Sequence, residues 1–152
     1  GFVCCARAAD LGAGAALLCR VLPELGPCMG FDQHNRNHTH DVFGHIAAVV
    51  ELLPPAPELR FAALLHDVGK PKTFSLDAQG QGHFYGHAPK GAEMADAVLR
   101  RLKAPTALRQ QVALLVQQHM TPLEPDRKLL RRRLSQYGAV GVQNLLALQK
   151  AE

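Results

Sequence analysis

The chain has 152 residues, 47% of them hydrophobic, with no tryptophan and only 5% aromatics. That length and apolar content fit one compact domain with a core of mainly Leu, Ala and Val, and exclude a disordered or fibrous chain. The formal charge of +4 permits a phosphate-bearing partner without requiring one, and no run reaches the roughly 18 apolar residues of a membrane helix.

Residues 3–22 are Ala/Leu-rich but interrupted by glycines, which predicts one or two helices. Pro23 to Gly30 reads as a break. Asp41 is placed to cap a second helix ending near Leu53, with Val42, Ile46, Val49, Val50 and Leu53 on one face. Pro54, Pro55 and Pro57 stop it, and a short third helix covers 58–67. Residues 69–84 carry two short alternating pieces around a Gly-rich turn, a small β-hairpin or an irregular loop. Further helices follow at 88–103, 106–119 and 126–136, and Gly138 breaks the pattern before a last one at 139–151. The fold class is all-α: a compact helical bundle with one small hairpin or loop insertion.

Cys4, Cys5, Cys19 and Cys28 include no CxxC pair. They argue against a zinc framework or disulfides and read as free thiols in a reducing, cytoplasmic setting. No basic-then-apolar leader opens the chain. Its first residue is Gly1, which reads as a piece of a longer protein.

The chemistry lies in the histidines. Seven of eight fall between His34 and His87. His45 lies three residues after Val42 and four before Val49, beside the apolar stripe of its helix. His66 and Asp67 close the apolar stretch FAALLHDVGKPKTF. A carboxylate there is costly unless it is paired or metal-bound. His87 precedes Gly91 and Ala95 on a small-residue face, and His119 follows Val112 and Leu115 on an apolar one. Imidazole with carboxylate suits Mg, Mn, Fe, Co, Ni or Zn without distinguishing them. Histidines and an aspartate from four helices predict one divalent-metal centre that hydrolyses a phosphate ester. Lys70, beyond Gly69, reads either as a point charge for the substrate phosphate at the rim of the site or as a solvated surface lysine.

With His45 upstream, LLHDVGK resembles the HD superfamily of metal-dependent phosphohydrolases, whose pattern runs H…HD…D. More closely, GFDQHNRNHTHDVFGH (30–45), LLHDVGKPKTF (64–74), GHFYGHAPKGAEMA (82–95), LLVQQHM (114–120) and the helices after Arg127 are similar to the HD region of bacterial CCA-adding tRNA nucleotidyltransferases. The resemblance implies a single HD-type domain over 1–152, with N-terminal helices to residue 30 and the metal-site core and C-terminal helices in 31–152. It implies metal ligation by His45, His66 and Asp67. The Gly-Ser and paired-aspartate motifs of the nucleotidyltransferase domain do not occur here, so the chain is not expected to add nucleotides itself.

Two positions depart from the family pattern. Met120 stands where a two-metal pattern has a second histidine, and Glu152 stands where the closing aspartate is expected. Asp126, the other late acid, reads as a helix cap. The remaining ligands are then Glu152, or His87 and His119. Asp67, Lys70 and His87 are the candidates for direct roles on the phosphate. His38 and His83 are candidate pocket residues, and Phe84 and Tyr85 are expected to pack the loop over the site or to stack a base.

Arg127, Lys128, Arg131, Arg132 and Arg133, with a second cluster at Arg100, Arg101 and Lys103, offer either a weak tRNA contact or merely solvated helix faces. Two functions remain in view. One is a phosphohydrolase domain acting on nucleotide phosphomonoesters or phosphodiesters. The other is a non-catalytic, tRNA-positioning HD domain.

Overall fold

The computed structural model describes residues 7–34, 41–123 and 126–152. The glycine-broken N-terminal stretch forms two helices, α1 (Ala8–Ala13) and α2 (Ala15–Val21), followed by a 3-10 turn at Pro23–Cys28. Helix α3 (Val42–Leu52) begins where Asp41 Oδ1 accepts the Gly44 N–H at 2.7 Å, the cap expected from an acid at the N-terminus. It buries Val42, Phe43, Ile46, Ala47, Val49 and Val50. Helix α4 (Pro57–Leu65) starts on a proline, whose missing N–H costs nothing in a first turn.

After α4 the chain departs from the expected helix over 58–67. The helix ends at Leu65, His66 occupies the C-cap with helical dihedrals, and Asp67 lies in the turn beyond. A four-residue helix not foreseen from the sequence, α5 (Lys70–Thr73), follows with Pro71 in its first turn. Pro71 thus sits in the first turn of a new helix, where its missing N–H costs nothing. The hairpin is present as β1 (Ser75–Leu76) and β2 (Gly82–His83), pairing Ser75 with His83 and Leu76 with Gly82.

Helices α6 (His87–Arg101) and α7 (Thr106–Gln118) make the most extensive helix pair, and α4 packs against α3, α6 and α7. The last element, α8 (Arg127–Ala151), is capped by Asp126 Oδ1 at the Leu129 N–H (2.7 Å) and broken at Gly138. That glycine has φ 71°, a left-handed value that side chains strain to adopt. Only the part after the break is buried, through Gly141, Val142, Leu145 and Leu148. This second half closes on α7, α4 and α3.

The core holds Ile46, Leu64, Leu65, Leu99, Leu115, Leu145 and Leu148, each at most 2% exposed. Each such leucine or isoleucine stabilises the fold by about 1.5–3 kcal/mol. Because α4 is surrounded by neighbours, whatever follows its last turn is carried into the interior. Among the described residues no helix is long and apolar enough to cross a membrane.

Candidate metal centre

Four helices each deliver one histidine to a single point. His45 comes from the first turn of α3 and keeps 17% of its side chain exposed. His66 caps the C-terminus of α4, His87 is the first residue of α6, and His119 caps the C-terminus of α7. Asp67 lies among them with its side chain fully buried. Its Oδ2 lies 3.4 Å from His66 Nε2 and 3.6 Å from His45 Nε2. Its Oδ1 lies 3.5 Å from His87 Nε2 and 3.9 Å from His119 Nε2. The carboxylate is thus shared between two groups of possible ligands, one with His45 and His66, the other with His87 and His119.

The orientation of the rings follows from helix ends. The last carbonyls of a helix lack intrahelical partners. His66 Nδ1 donates to Ala63 O (2.7 Å) and His119 Nδ1 to Val116 O (2.6 Å), each three residues back. His87 Nδ1 donates to Phe84 O at 2.9 Å. A proton held on Nδ1 leaves Nε2 as a lone pair in the neutral ring, and every one of those Nε2 atoms faces inward. Two contacts then stand out. His66 Nε2 is 3.2 Å from His45 Nε2, and His87 Nε2 is 3.2 Å from His119 Nε2. Neutral His87 and His119 have no proton to place between those nitrogens. Two nitrogens bound about 2.0–2.1 Å from one first-row ion are themselves about 3 Å apart. The donor set therefore fits a divalent cation, with backbone carbonyls fixing the tautomers from behind.

The electrostatics agree. Burial, the largest influence, pushes the Asp67 carboxyl up, but the neighbouring His66 imidazole, Lys70 ammonium and His119 outweigh it and hold the group below the usual carboxylate range. Burial, with His66 nearby, pushes His119 down to about 4, and burial also lowers His87. Both are neutral near pH 7, the form that binds a metal. Asp67 Oδ1 and Oδ2 have no well-formed hydrogen bond, although Lys70 Nζ lies 2.6 Å from Oδ2 as an ion pair. Lys70 compensates Oδ2, and a cation between Oδ1 and the histidines would compensate the other oxygen of this buried carboxylate.

Lys70 is not at the rim. It is 6% exposed, paired to Asp67, accepted by Gln33 Oε1 at 3.0 Å and lying 5.5 Å from the centre of the Phe84 ring. The solvated alternative is excluded. Gln33, 2% exposed, was not anticipated as part of the site. The faint signal for it is a polar residue two positions after Phe31, whose ring packs edge-on against Phe74 (5.3 Å).

The other expectations divide. Glu152 comes near the centre: its Oε1 is 3.9 Å from His119 Nε2, and burial raises its carboxyl. Met120 is 59% exposed. Asp126 caps α8, as expected. His83 does not join the pocket; it pairs with Asp77 Oδ2 at 2.8 Å. Phe84 packs over Lys70, but Tyr85 is 78% exposed and packs nothing over the site. His38, Cys4 and Cys5 lie outside the described residues. Cys19 and Cys28 are free, and burial pushes the Cys28 thiol up to about 12.

The second basic cluster is partly neutralised, since Arg100 pairs with Asp96 (2.8 Å) and Arg101 with Glu24 (2.6 Å). Arg133 donates to Tyr137 Oη at 2.8 Å. Arg127, Lys128, Arg131 and Arg132 remain exposed on the first half of α8.

Comparison with known proteins extends these observations. A family model described as HD domain matches residues 36–145. The chain is 43% identical over 122 residues to an A-adding tRNA nucleotidyltransferase of Deinococcus radiodurans, covering 76% of this chain and 28% of that protein. It is 45% identical over 121 residues to a CC-adding tRNA nucleotidyltransferase of Thermus thermophilus, again covering 76% and 28%. It is 38% identical over 106 residues to a multifunctional CCA protein of Aromatoleum aromaticum, covering 67% and 25%. The chain spans little more than a quarter of the length of these curated relatives.

Proposed function

The chain belongs to the HD domain family, and on that premise we propose that it is a divalent-metal-dependent phosphohydrolase domain acting on nucleotide phosphomonoesters or phosphodiesters, the HD part of a CCA-adding tRNA nucleotidyltransferase. One observation carries the reading: the inward Nε2 atoms of four histidines meet the two oxygens of a buried, ionised Asp67.

His45, His66, Asp67, His87 and His119 would hold the ion, with Glu152 beside His119. When bound, a divalent ion would polarise a phosphoryl oxygen and lower the pKa of bound water toward neutrality. The protein's own groups do the rest. Asp67 stays ionised and keeps its negative charge at the centre. The backbone carbonyls of Ala63, Phe84 and Val116 keep the imidazoles in one tautomer. Lys70 supplies a positive charge, held between Asp67 and Gln33, to the side of the site that receives a phosphate. His45, with 17% of its side chain exposed, is more open than His66, His87 and His119 and marks the accessible side of the histidine cluster.

The test is hydrolysis of a 2′,3′-cyclic nucleotide and of a generic phosphodiester after supplementation with Mn²⁺, Co²⁺ or Ni²⁺. Turnover that disappears in His45→Ala and Asp67→Asn supports the reading. Equal turnover in these variants, or no bound ion after supplementation, refutes it.

The alternative, a non-catalytic tRNA-positioning domain, is favoured by the exposed Arg127, Lys128, Arg131 and Arg132 and by the tRNA nucleotidyltransferases among the relatives. Binding through phosphate contacts weakens steeply with salt. A fluorescence-polarisation titration with tRNA should show weak, salt-dependent binding that falls in Arg131→Ala/Arg132→Ala. Binding unaltered by that double change would remove the basis for this reading.

A further inference from the structure

Among the described residues, Tyr85 stacks on a neighbouring ring yet is left in water. The Tyr85 ring lies nearly parallel to that of His83, 6° apart in plane and 5.2 Å between centres. His83 is itself pinned, its Nε2 donating to Asp77 Oδ2 at 2.8 Å. Asp77 is pinned in turn, because its Oδ1 accepts the N–H groups of Gln79 and Gln81, both at 2.9 Å. The backbone of His83 pairs with Ser75 in the hairpin. One face of Tyr85 is therefore covered by a fixed ring while the side chain remains 78% exposed.

The position of this stack gives it meaning. Phe84, the residue before Tyr85, lays its ring over Lys70, and its carbonyl holds His87. Tyr85 is two residues from His87, so their Cα atoms are at most about 7 Å apart. The Tyr85 backbone thus stands within a nucleotide's span of one histidine of the candidate centre. Bases stack on such faces by their π-surfaces, and purines offer more surface than pyrimidines.

We propose that the outer face of Tyr85, braced by His83 and Asp77, is a base-stacking subsite that binds the nucleobase of a nucleotide whose phosphate enters the His45–Asp67 centre. This rests on the phosphohydrolase reading for the phosphate end, while the stacking end is measured separately. With no hydrogen-bonding readout on the ring face, the subsite accepts different bases and favours purines.

The protein has two tyrosines and no tryptophan, so Tyr137→Phe leaves Tyr85 as the only tyrosine fluorophore. AMP added to this variant should quench the emission and ribose 5-phosphate should not. CMP should quench at higher concentration than AMP. By calorimetry, Tyr85→Ala should weaken AMP binding about tenfold or more, while Tyr85→Phe, which keeps the ring, should retain it. Unchanged AMP affinity in Tyr85→Ala, or equal quenching by ribose 5-phosphate, overturns the proposal. Phosphodiester turnover by the parent protein is assayed alongside. Turnover with no AMP stacking rejects the subsite alone, and AMP stacking with no turnover rejects the hydrolase reading alone.

Discussion

His87 and His119 bring their Nε2 atoms to 3.2 Å while each ring gives its Nδ1 proton to a backbone carbonyl. Neutral rings so arranged oppose lone pair to lone pair, and a shared cation relieves that opposition. Divalent ion should therefore raise the melting temperature of EDTA-treated protein. An ion at a hundred times its dissociation constant stabilises by about 2.7 kcal/mol. In His87→Ala/His119→Ala the shift with Mn²⁺ or Ni²⁺ should shrink substantially. Differential scanning fluorimetry across an ion titration reads this, and an equal shift in the double variant would place the ion elsewhere.

The same burial makes the metal-free protein sensitive to acid. His119 has its folded pKa depressed to about 4 from 6.5, and His87 is also depressed, so between those values the unfolded chain binds more protons than the folded one. The contribution of His119 is complete above about pH 6.5 and is lost as pH falls toward 4, and His87 adds to the loss below 6.5. Asp67, depressed from 3.8, adds a further loss below that value. Urea midpoints of chelated protein should fall steadily from pH 6.5 to 4. A flat profile over that window would contradict the burial of neutral His87 and His119.

Much of this centre could be read from the chain alone, because helical periodicity reports which face turns inward. His45 beside Val42 and Val49, and His119 after Val112 and Leu115, lie on apolar stripes and do converge. The resemblance to the HD pattern added His66 and Asp67 with specificity. Lys70 was legible as a candidate charge at the rim, but its burial was not. Its burial depends on Gln33, 37 positions away. Tyr85 and Phe84 have similar sequence character, and nothing local in the sequence says that Phe84 lies over Lys70 while Tyr85 stays exposed. The break at Gly138 was legible, since a glycine between two helical patterns is a local signal.

Gly69 has a spatial role in the turn after Asp67. A Cβ added there would collide with His87 O and meet Gly91 N at 2.9 Å, both backbone atoms that cannot move aside cheaply. This close approach sets the turn after Asp67 against the start of α6, and so brings His87 to Asp67. Gly69→Ala should destabilise by about 1–3 kcal/mol through overpacking and also weaken ion binding. Thermal melts with and without Mn²⁺ measure both effects. A stable variant with unchanged ion affinity would mean the helix approach does not position His87.

Lys70 and the proposed ion compete to neutralise one carboxylate. Without an ion, Lys70 Nζ at 2.6 Å is the positive partner of Asp67 Oδ2, and Gln33 Oε1 and the Phe84 ring hold it there. Removing one partner of a buried ion pair typically costs about 3–5 kcal/mol because the other charge is left stranded. Lys70→Met keeps the length of the stem but drops the charge, so chelated protein should lose stability on that scale. Once an ion sits against Asp67 the carboxylate is compensated, and the same substitution should cost distinctly less. Denaturant unfolding of the variant and the parent, each with EDTA and with saturating Mn²⁺, gives the four stabilities required. Equal losses in the two conditions would show that Lys70 and the ion do not share Asp67.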